Sequence, residues 1–321
     1  MRIRNLILIL LAVAAMVSCQ RKELLEPGHR HGYKIPLTIK LDIEKPELDS
    51  VYFDSLYYSN TLATARTITV VAYPEDKTMP IETYYLDSLV GDIWLVPERS
   101  YHLMAYTSDF YDLDGIFYSG MDNPFTAEAK TNQVEKTKDK ETGVKSYDIS
   151  DPDPLFAKLL ENVYIYKKSK DTSITTSMTP LSYRYWYEVE VEGLDYITEA
   201  YLKIDGMYTS VYLADGSHKP EEYGSQRIPA TIHKDENKIK GEFLSFGPHQ
   251  DDNVKNSMVL TFINGRTINV QLNDISPEIK RLVKGGEIKI KQKIIINIGD
   301  DGSGFKPVVD DWDNEEVEIP I

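Results

Sequence analysis

The chain has one cysteine in 321 residues, so no disulfide can form within it. Its stability has to come from a packed core. It also has no basic excess. Residues 1–18 hold two arginines and no acid, which leaves 34 basic against 51 acidic side chains, −17 net, in residues 19–321. Nucleic acid and anionic lipid headgroups both need Lys/Arg patches, so neither is expected as a partner. Beyond the first eighteen residues no apolar run approaches the roughly 20 residues that cross a bilayer. A Gly-x-Ser-x-Gly elbow, a phosphate-binding loop, a dinucleotide glycine fingerprint and a His-Glu-x-x-His pair are all missing. Carboxylates are so frequent that pairing cannot single out a glycosidase dyad. Neither an enzyme nor a cofactor is expected.

What is present starts at the N-terminus. Arg2 and Arg4 precede an unbroken apolar run from Leu6 to Val17, too short to span a bilayer but suited to the core of a secretory signal. Met16-Val17-Ser18-Cys19 resembles a bacterial lipobox, in which cleavage exposes the cysteine and its sulfur takes a diacylglyceryl group. Residues 1–18 then read as a lipoprotein signal peptide and Cys19 as the site of acylation. Gln20 is not the aspartate that retains lipoproteins in the inner membrane of enteric bacteria, which makes the outer membrane the expected location. Residues 19–32 are polar and read as a flexible tether. His29 and His31 lie in it, and a solvated tether describes them better than a metal site does. His102, His218, His233 and His249 are scattered singly.

From Tyr33 onward the pattern has period two. In "KIPLTIKLDI" the apolar positions are Ile35, Leu37, Ile39, Leu41 and Ile43, the signature of a half-buried strand. Pro36 suits an edge or the beginning of that strand. "RTITVVAYP" and "IWLVPERSYHLMAYTS" continue in the same manner, with Pro97, Glu98 and Arg99 where a hairpin turn belongs. Between Ser119 and Ser150 the chain is polar and reads as a long exposed loop or ribbon, and "DPDPLF" reads as leading into a helical turn. In "YRYWYEVEVEGL", Tyr185, Tyr187, Val189 and Val191 share one face and Glu188, Glu190 and Glu192 the other. Packing describes this aromatic run better than a sugar-stacking platform does. Asp205-Gly206 and Asn264-Gly265 each sit between strand-like runs, a type I′ hairpin signal. "EIKIKQKIIINI" is a long strand whose Lys289, Lys291 and Lys293 would guard an edge. "SPEIKRLVKGG" is the one expected helix, capped by Ser276, with Pro277 in its first turn and Gly285 just past its end. Many short strands joined by turns predict an all-β protein of two tandem β-sandwich domains, residues 33–170 and 171–321, with one short helix in the second.

Several segments together resemble a family. "CQRKELLEPGHRHG", "DPDPLF", "YEVEVEGLDYITEAYLKIDGM", "LSFGP", "LNDISPEI" and "GSGFKPVVDDWDNEEVEI" are similar to Bacteroidales surface lipoproteins of unassigned function, related in pattern to anchor and accessory subunits of fimbrillin-type pili. The resemblance implies transthyretin-like, Greek-key sandwiches, a place at the cell surface, and fimbrial subunits as partners through exchanged strands. Against this stands a solitary surface lipoprotein that binds glycan or a host protein.

Two weaker patterns remain. Residues 299–316 hold seven acidic side chains, and Asp300, Asp301, Asp310 and Asp311 are the candidate calcium ligands. The spacing does not fit an EF-hand, and Asp-Asp-Gly-Ser-Gly reads equally as a hairpin turn. Asp49-Ser50-Val51, Asp54-Ser55-Leu56 and Asp87-Ser88-Leu89 resemble the O-glycosylation acceptor of this bacterial phylum.

Overall fold

A computed structural model of the chain describes residues 33–44, 67–108, 115–138, 145–167, 172–250, 255–273, 275–298, 305–311 and 316–318. Its strands in chain order begin with β1 (Ile35–Ile43), β2 (Thr67–Pro74), β3 (Glu82–Leu86), β4 (Val90–Leu95) and β5 (Arg99–Ser108). Next come β6 (Ile116–Ser119), β7 (Glu128–Thr131), β8 (Gln133–Lys138), β9 (Lys145–Ile149), β10 (Phe156–Ile165) and β11 (Ser173–Pro180). The second half supplies β12 (Tyr183–Glu192), β13 (Ile197–Tyr208), β14 (Ser210–Tyr212), β15 (Tyr223–Pro229), β16 (Thr231–His233) and β17 (Lys238–Ser245). It ends with β18 (Asn256–Phe262), β19 (Thr267–Gln271), the helix α1 (Ser276–Ile279), β20 (Gly286–Ile298), β21 (Phe305–Asp311) and β22 (Glu316–Glu318). The protein is all-β, and among the described residues α1 is its single α-helix.

The first sheet runs β3-β2-β5-β10-β11-β1-β4. It folds over at β10 and β11, which meet at only two residue pairs, Phe156 with Pro180 and Ala157 with Thr179. The alternating residues of β1 thereby face Ile68, Val70, Leu103 and Ala105 across one core. The expected alternation holds in β1, where Ile35, Leu37, Ile39, Leu41 and Ile43 are all buried. It fails in β2, which is buried along nearly its whole length. Val71 and Tyr73, on the far face of β2, pack with Ala127, Ala129 and Val211 of a small sheet, β14-β7-β6. A strand covered on both faces loses its polar side.

The second sandwich pairs β16-β17-β12-β20-β21-β22 with β19-β18-β13-β15-β9-β8. Tyr185, Tyr187, Val189 and Val191 of β12 point into its core, and both tyrosines are fully buried. The aromatic run is packing, as its alternation implies. Three groups of strands cross the 170/171 division, one of them the small sheet in which β14 pairs with β7. Ser173–Pro180 pairs with β1 and β10, whereas β8 and β9 join the sheet of β13 through β15. The polar stretch before Ser150 therefore includes a ribbon, β8–β9, as the loop-or-ribbon reading allows.

Several local expectations are corrected by the long-range pairing. Pro97, Glu98 and Arg99 do not close a hairpin, because β4 pairs with β1 while β5 pairs with β2 and β10. "DPDPLF" leads into strand β10 and not a helical turn. Asp205-Gly206 lies inside β13, at a bulge against β15 between Asp205 and Met207. Asn264-Gly265 does join a hairpin, β18 to β19, but only Gly265 has positive φ, so the turn is not type I′. Ser276 does not cap α1 from outside. It is buried in the first turn, and Ile275 takes the cap position. The helix stops at Ile279 with Lys280 as its C-cap, so Gly285 does not end it but closes a later turn, its N–H donating to Leu282. The lysine-bearing strand β20 is not an edge, because it lies between β12 and β21. Lys293 serves cross-strand pairing instead, lying 3.4 Å from Glu190 and 2.5 Å from Glu192. Pro36 sits near the start of a strand flanked on both sides. It faces Trp94, and β11 joins β1 only from Thr38 onward.

Candidate functional site: an open seam between two edge strands

The first sheet ends in β3 on one side and β4 on the other. The direction of each main-chain group on β4 follows from its hydrogen bonds. Thr38 N–H donates to Thr172 on the β11 side, and Leu41 N–H donates to Leu89 on the β4 side. Odd-numbered residues of β1 therefore bond toward β4, and even-numbered residues face away. Antiparallel pairing then puts Val90, Asp92 and Trp94, which oppose Lys40, Thr38 and Pro36, in non-bonded positions, so their N–H and C=O groups point outward from the sheet.

Side chains guard two of these three positions. The Ser88 hydroxyl donates to the Val90 carbonyl at 2.7 Å and accepts from the Val90 N–H at 3.3 Å. Tyr84 of β3 donates its hydroxyl to the Trp94 carbonyl at 2.5 Å, and so bridges the two edges. Tyr84 also bonds Glu82, which receives Lys34 at 2.6 Å. Burial, together with Glu82, raises the Tyr84 pKa far above the ordinary phenol value, so this bridge stays protonated at physiological pH. Among the described residues no side chain guards the Asp92 main chain in this way, and the Asp92 carboxylate accepts from Thr38 at 2.6 Å. Trp94 is 51% exposed and Val90 53%, large apolar surfaces beside an open edge. At the end of the seam a notch of about 420 Å³ reaches Ile68 and Leu86 of the core, lined also by Leu89 and Val90 and by the polar Asp87, Ser88 and Thr107. An edge with outward main-chain groups and a neighbouring notch is what an added strand requires.

Of the residues singled out in the sequence, Asp87-Ser88-Leu89 lies at this seam and the others fall elsewhere. Cys19, His29, His31, Asp300 and Asp301 lie outside the described residues, as do Asp49, Ser50, Asp54 and Ser55. Asp310 and Asp311 end β21, opposite Lys293 and Gln292. Ser88 is exposed in the β3–β4 turn, with its hydroxyl engaged by Val90. Among the described residues no group of three or more His, Cys, Asp or Glu is placed to hold a metal, and no helix is long and apolar enough to cross a membrane.

Two scattered histidines do meet. His218 stacks on Tyr208 at 4.2 Å and 9°, and His249 packs against Tyr208 and Tyr223 at 5.3 and 4.6 Å. His218 Nδ1 donates to the Ser210 carbonyl at 2.9 Å, and His249 Nε2 donates to Pro220 at 2.7 Å. Nearby, Glu128 receives Lys219 at 2.8 Å and Lys130 at 3.1 Å. Burial would push the Glu128 carboxyl up, but bonds from Lys219, Ser210 and Lys130 outweigh it and hold it below its ordinary value. Burial pushes the His218 imidazole down, opposed by its bond to Ser210 and by Asp215. The unfolded chain therefore takes up that proton more readily than the fold does. Stability contributed by neutral His218 is present above the ordinary value of about 6.5 and is lost as pH falls through it toward the lower folded value. The melting temperature is expected to fall as pH drops below about 6.5. In His218→Phe, which keeps an aromatic on Tyr208, that slope should flatten. An unchanged slope in thermal melts would remove His218 as its source.

The sequence reading missed Tyr84, Asp92, Trp94 and Ser88 as a group. The available signal was the Leu86-to-Val90 break between two strand-like runs, but which strands those runs would pair with is a tertiary fact.

Seventeen solved chains are similar in fold. One is a candidate adhesin from Bacteroides ovatus, at 16% identity and TM-score 0.56, over 83% of this chain and 90% of that one. A second candidate adhesin from Bacteroides ovatus has 8% identity and TM-score 0.47, over 89% and 95%. A fimbrial anchor protein from Porphyromonas gingivalis has 12% identity and TM-score 0.44, over 89% and 99%. No curated protein matches the sequence. Residues 18–223 match the family model described as "Domain of unknown function (DUF5119)", and the chain belongs to that family.

Proposed function

We propose that the protein is a lipid-anchored surface protein of the outer membrane that acts as an anchor or accessory subunit of a fimbria. In this reading Cys19 carries the acyl chains and the β3–β4 seam accepts a strand from another subunit. The observation that carries it is the outward main chain of β4 at Asp92, beside exposed Trp94 and the notch under Leu89. The sandwich fold shared with the first Bacteroides ovatus adhesin is consistent with a role in adhesion. Main-chain hydrogen bonds would give the added strand its affinity, and the notch would select one apolar side chain from it.

The test is a mild-detergent pull-down of the tagged protein from its native cells, run on a denaturing gel with and without boiling. Exchanged strands separate slowly, so partner bands that migrate with the protein unless boiled are expected. Asp92→Pro removes the outward N–H without touching a main-chain bond to β1, a change edge strands tolerate, and Asp92→Ala, which loses only the side-chain bond to Thr38, is its control. Asp92→Pro should reduce the boil-sensitive bands about tenfold, the effect of losing roughly one well-placed hydrogen bond. A monomer band alone in both lanes would end the fimbrial reading. Full ladders from Asp92→Pro would move the acceptor away from this seam.

A further inference from the structure

A second cavity, of about 760 Å³, lies where the end of β2, the turn after it, β5 and the loop before β7 converge. Its size falls in the range of about 300–1,000 Å³ typical of small-molecule sites. The residues that matter are Tyr73, Met79, Ile81, His102, Asp122 and Phe125. Met79, Ile81 and Phe125 offer apolar surface, and the other three offer hydrogen-bonding groups.

Phe125 is held out into solvent by a braced loop. Its N–H donates to the Asn123 side chain at 3.0 Å, and the next two N–H groups, of Thr126 and Ala127, donate to the Asn123 carbonyl at 3.1 and 3.0 Å. The N–H of Asn123 in turn donates to Gly120 at 3.2 Å. The ring is 50% exposed and stands edge-on to His102, with centroids 5.3 Å apart and planes at 72°. An aromatic ring fixed in place yet left half in water is a platform that lacks only a partner face.

The polar groups have spare capacity. Tyr73 is 3% exposed, and neither its hydroxyl nor Nδ1 of His102 has a hydrogen-bond partner among the described residues. Buried polar atoms are seldom left unmet, and ligand sites are among the exceptions. Burial, then Tyr106, then Asp122 raise the Tyr73 pKa, so the hydroxyl keeps its proton beside an acceptor carboxylate.

We propose that this cavity binds a neutral saccharide, with Phe125 stacking on the apolar face of a pyranose ring and Tyr73, His102 and Asp122 bonding its hydroxyls. A sugar presents C–H faces and a rim of hydroxyls, which is the pairing of surfaces this cavity presents in reverse. Of the charged side chains lining the cavity, the carboxylates of Asp122 and Glu75 outnumber the one ammonium, Lys77, and with the chain's net negative charge they disfavour an anionic ligand. The proposal does not depend on strand-mediated assembly.

The test uses residues 19–321 with Cys19→Ser, printed against an array of neutral, sialylated and sulfated glycans. The strongest hits are then measured by saturation-transfer NMR. Neutral glycans are expected to bind. Phe125→Ala should weaken that binding about tenfold, and Tyr73→Phe, which removes only the hydroxyl, roughly three- to tenfold. Melting temperatures of both variants should stay within about 2 °C of the parent, and Asp92→Pro should bind the glycan normally. Background signal across the array, a preference for the anionic glycans, or undiminished binding by Phe125→Ala and Tyr73→Phe would each overturn the proposal.

Discussion

Replacing Cys19 by serine is expected to abolish fatty-acid incorporation and to move the mature chain from the detergent phase to the aqueous phase. The expectation rests on the Arg2–Ser18 signal pattern and on the placement of the chain's single thiol immediately after it. One acyl chain gives a membrane partition constant of only about 10⁴ M⁻¹, and stable anchoring takes a second. A diacylglyceryl thioether supplies both at once, so loss of the sulfur removes the whole anchor. The acidic balance of residues 19–321 offers anionic lipid no electrostatic hold in its place. The variant should carry an ordinary cleavable secretory signal, so that the apolar run Leu6–Val17 is removed in either case. Growth with an alkyne fatty acid, followed by Triton X-114 partition, reads both effects. Label retained on the serine variant would place acylation elsewhere, and an unlabelled parent would refute the lipoprotein reading.

Gly285→Ala should be the most damaging of the glycine substitutions expected from turn chemistry, and Gly265→Ala among the mildest. Both residues have positive φ, 85° and 78°. An alanine in that region is strained by roughly 1–2 kcal/mol. At Gly265 nothing lies within 4 Å of an added Cβ, so strain is the whole effect. At Gly285 the Cβ would fall 2.3 Å from the Arg184 carbonyl oxygen and 3.1 Å from its nitrogen, both main-chain atoms of β12. The clash comes where Tyr185 pairs with Gly286 to begin the parallel β12–β20 contact at the centre of a sheet. Main chain there cannot swing aside without moving the fully buried Tyr185. A loss of about 3–4 kcal/mol is expected at Gly285 against about 1–2 at Gly265. In thermal melts this corresponds to a fall of roughly 6–16 °C against roughly 2–8 °C. Equal shifts for the two variants would mean that the β12–β20 junction gives way easily, contrary to its packing.

These two glycines divide what was legible in the sequence from what was not. Sequence alone marks both as turn residues, because glycine beside Asn264 or after a short helix pattern is local chemistry. It also carries the all-β class, the inward faces of β1 and β12, and the one short helix, each set by the period of apolar side chains along a few residues. The role proposed for Cys19 belongs here too, since a lipid attachment signal is read along the chain and not across the fold.

Tertiary structure decided the rest, because pairing partners lie far apart in the chain. No local pattern brings Arg184 against Gly285, puts Ser173–Pro180 beside β1, or turns Asp205-Gly206 into a bulge within one strand. The same holds for β2, whose second face, with Val71 and Tyr73, is buried only because the small sheet of β7 and β14 covers it. The lysines of β20 look like an edge guard until β12 supplies glutamates opposite them. Both candidate sites are of this kind. Asp92 is exposed main chain only because β4 takes β1 as its partner and leaves β3 across an open seam. Phe125 and Tyr73 share a cavity only because the loop before β7 is folded onto the end of β2. Periodicity fixes which side of a strand is apolar, whereas long-range packing fixes which strands meet and which edges stay open.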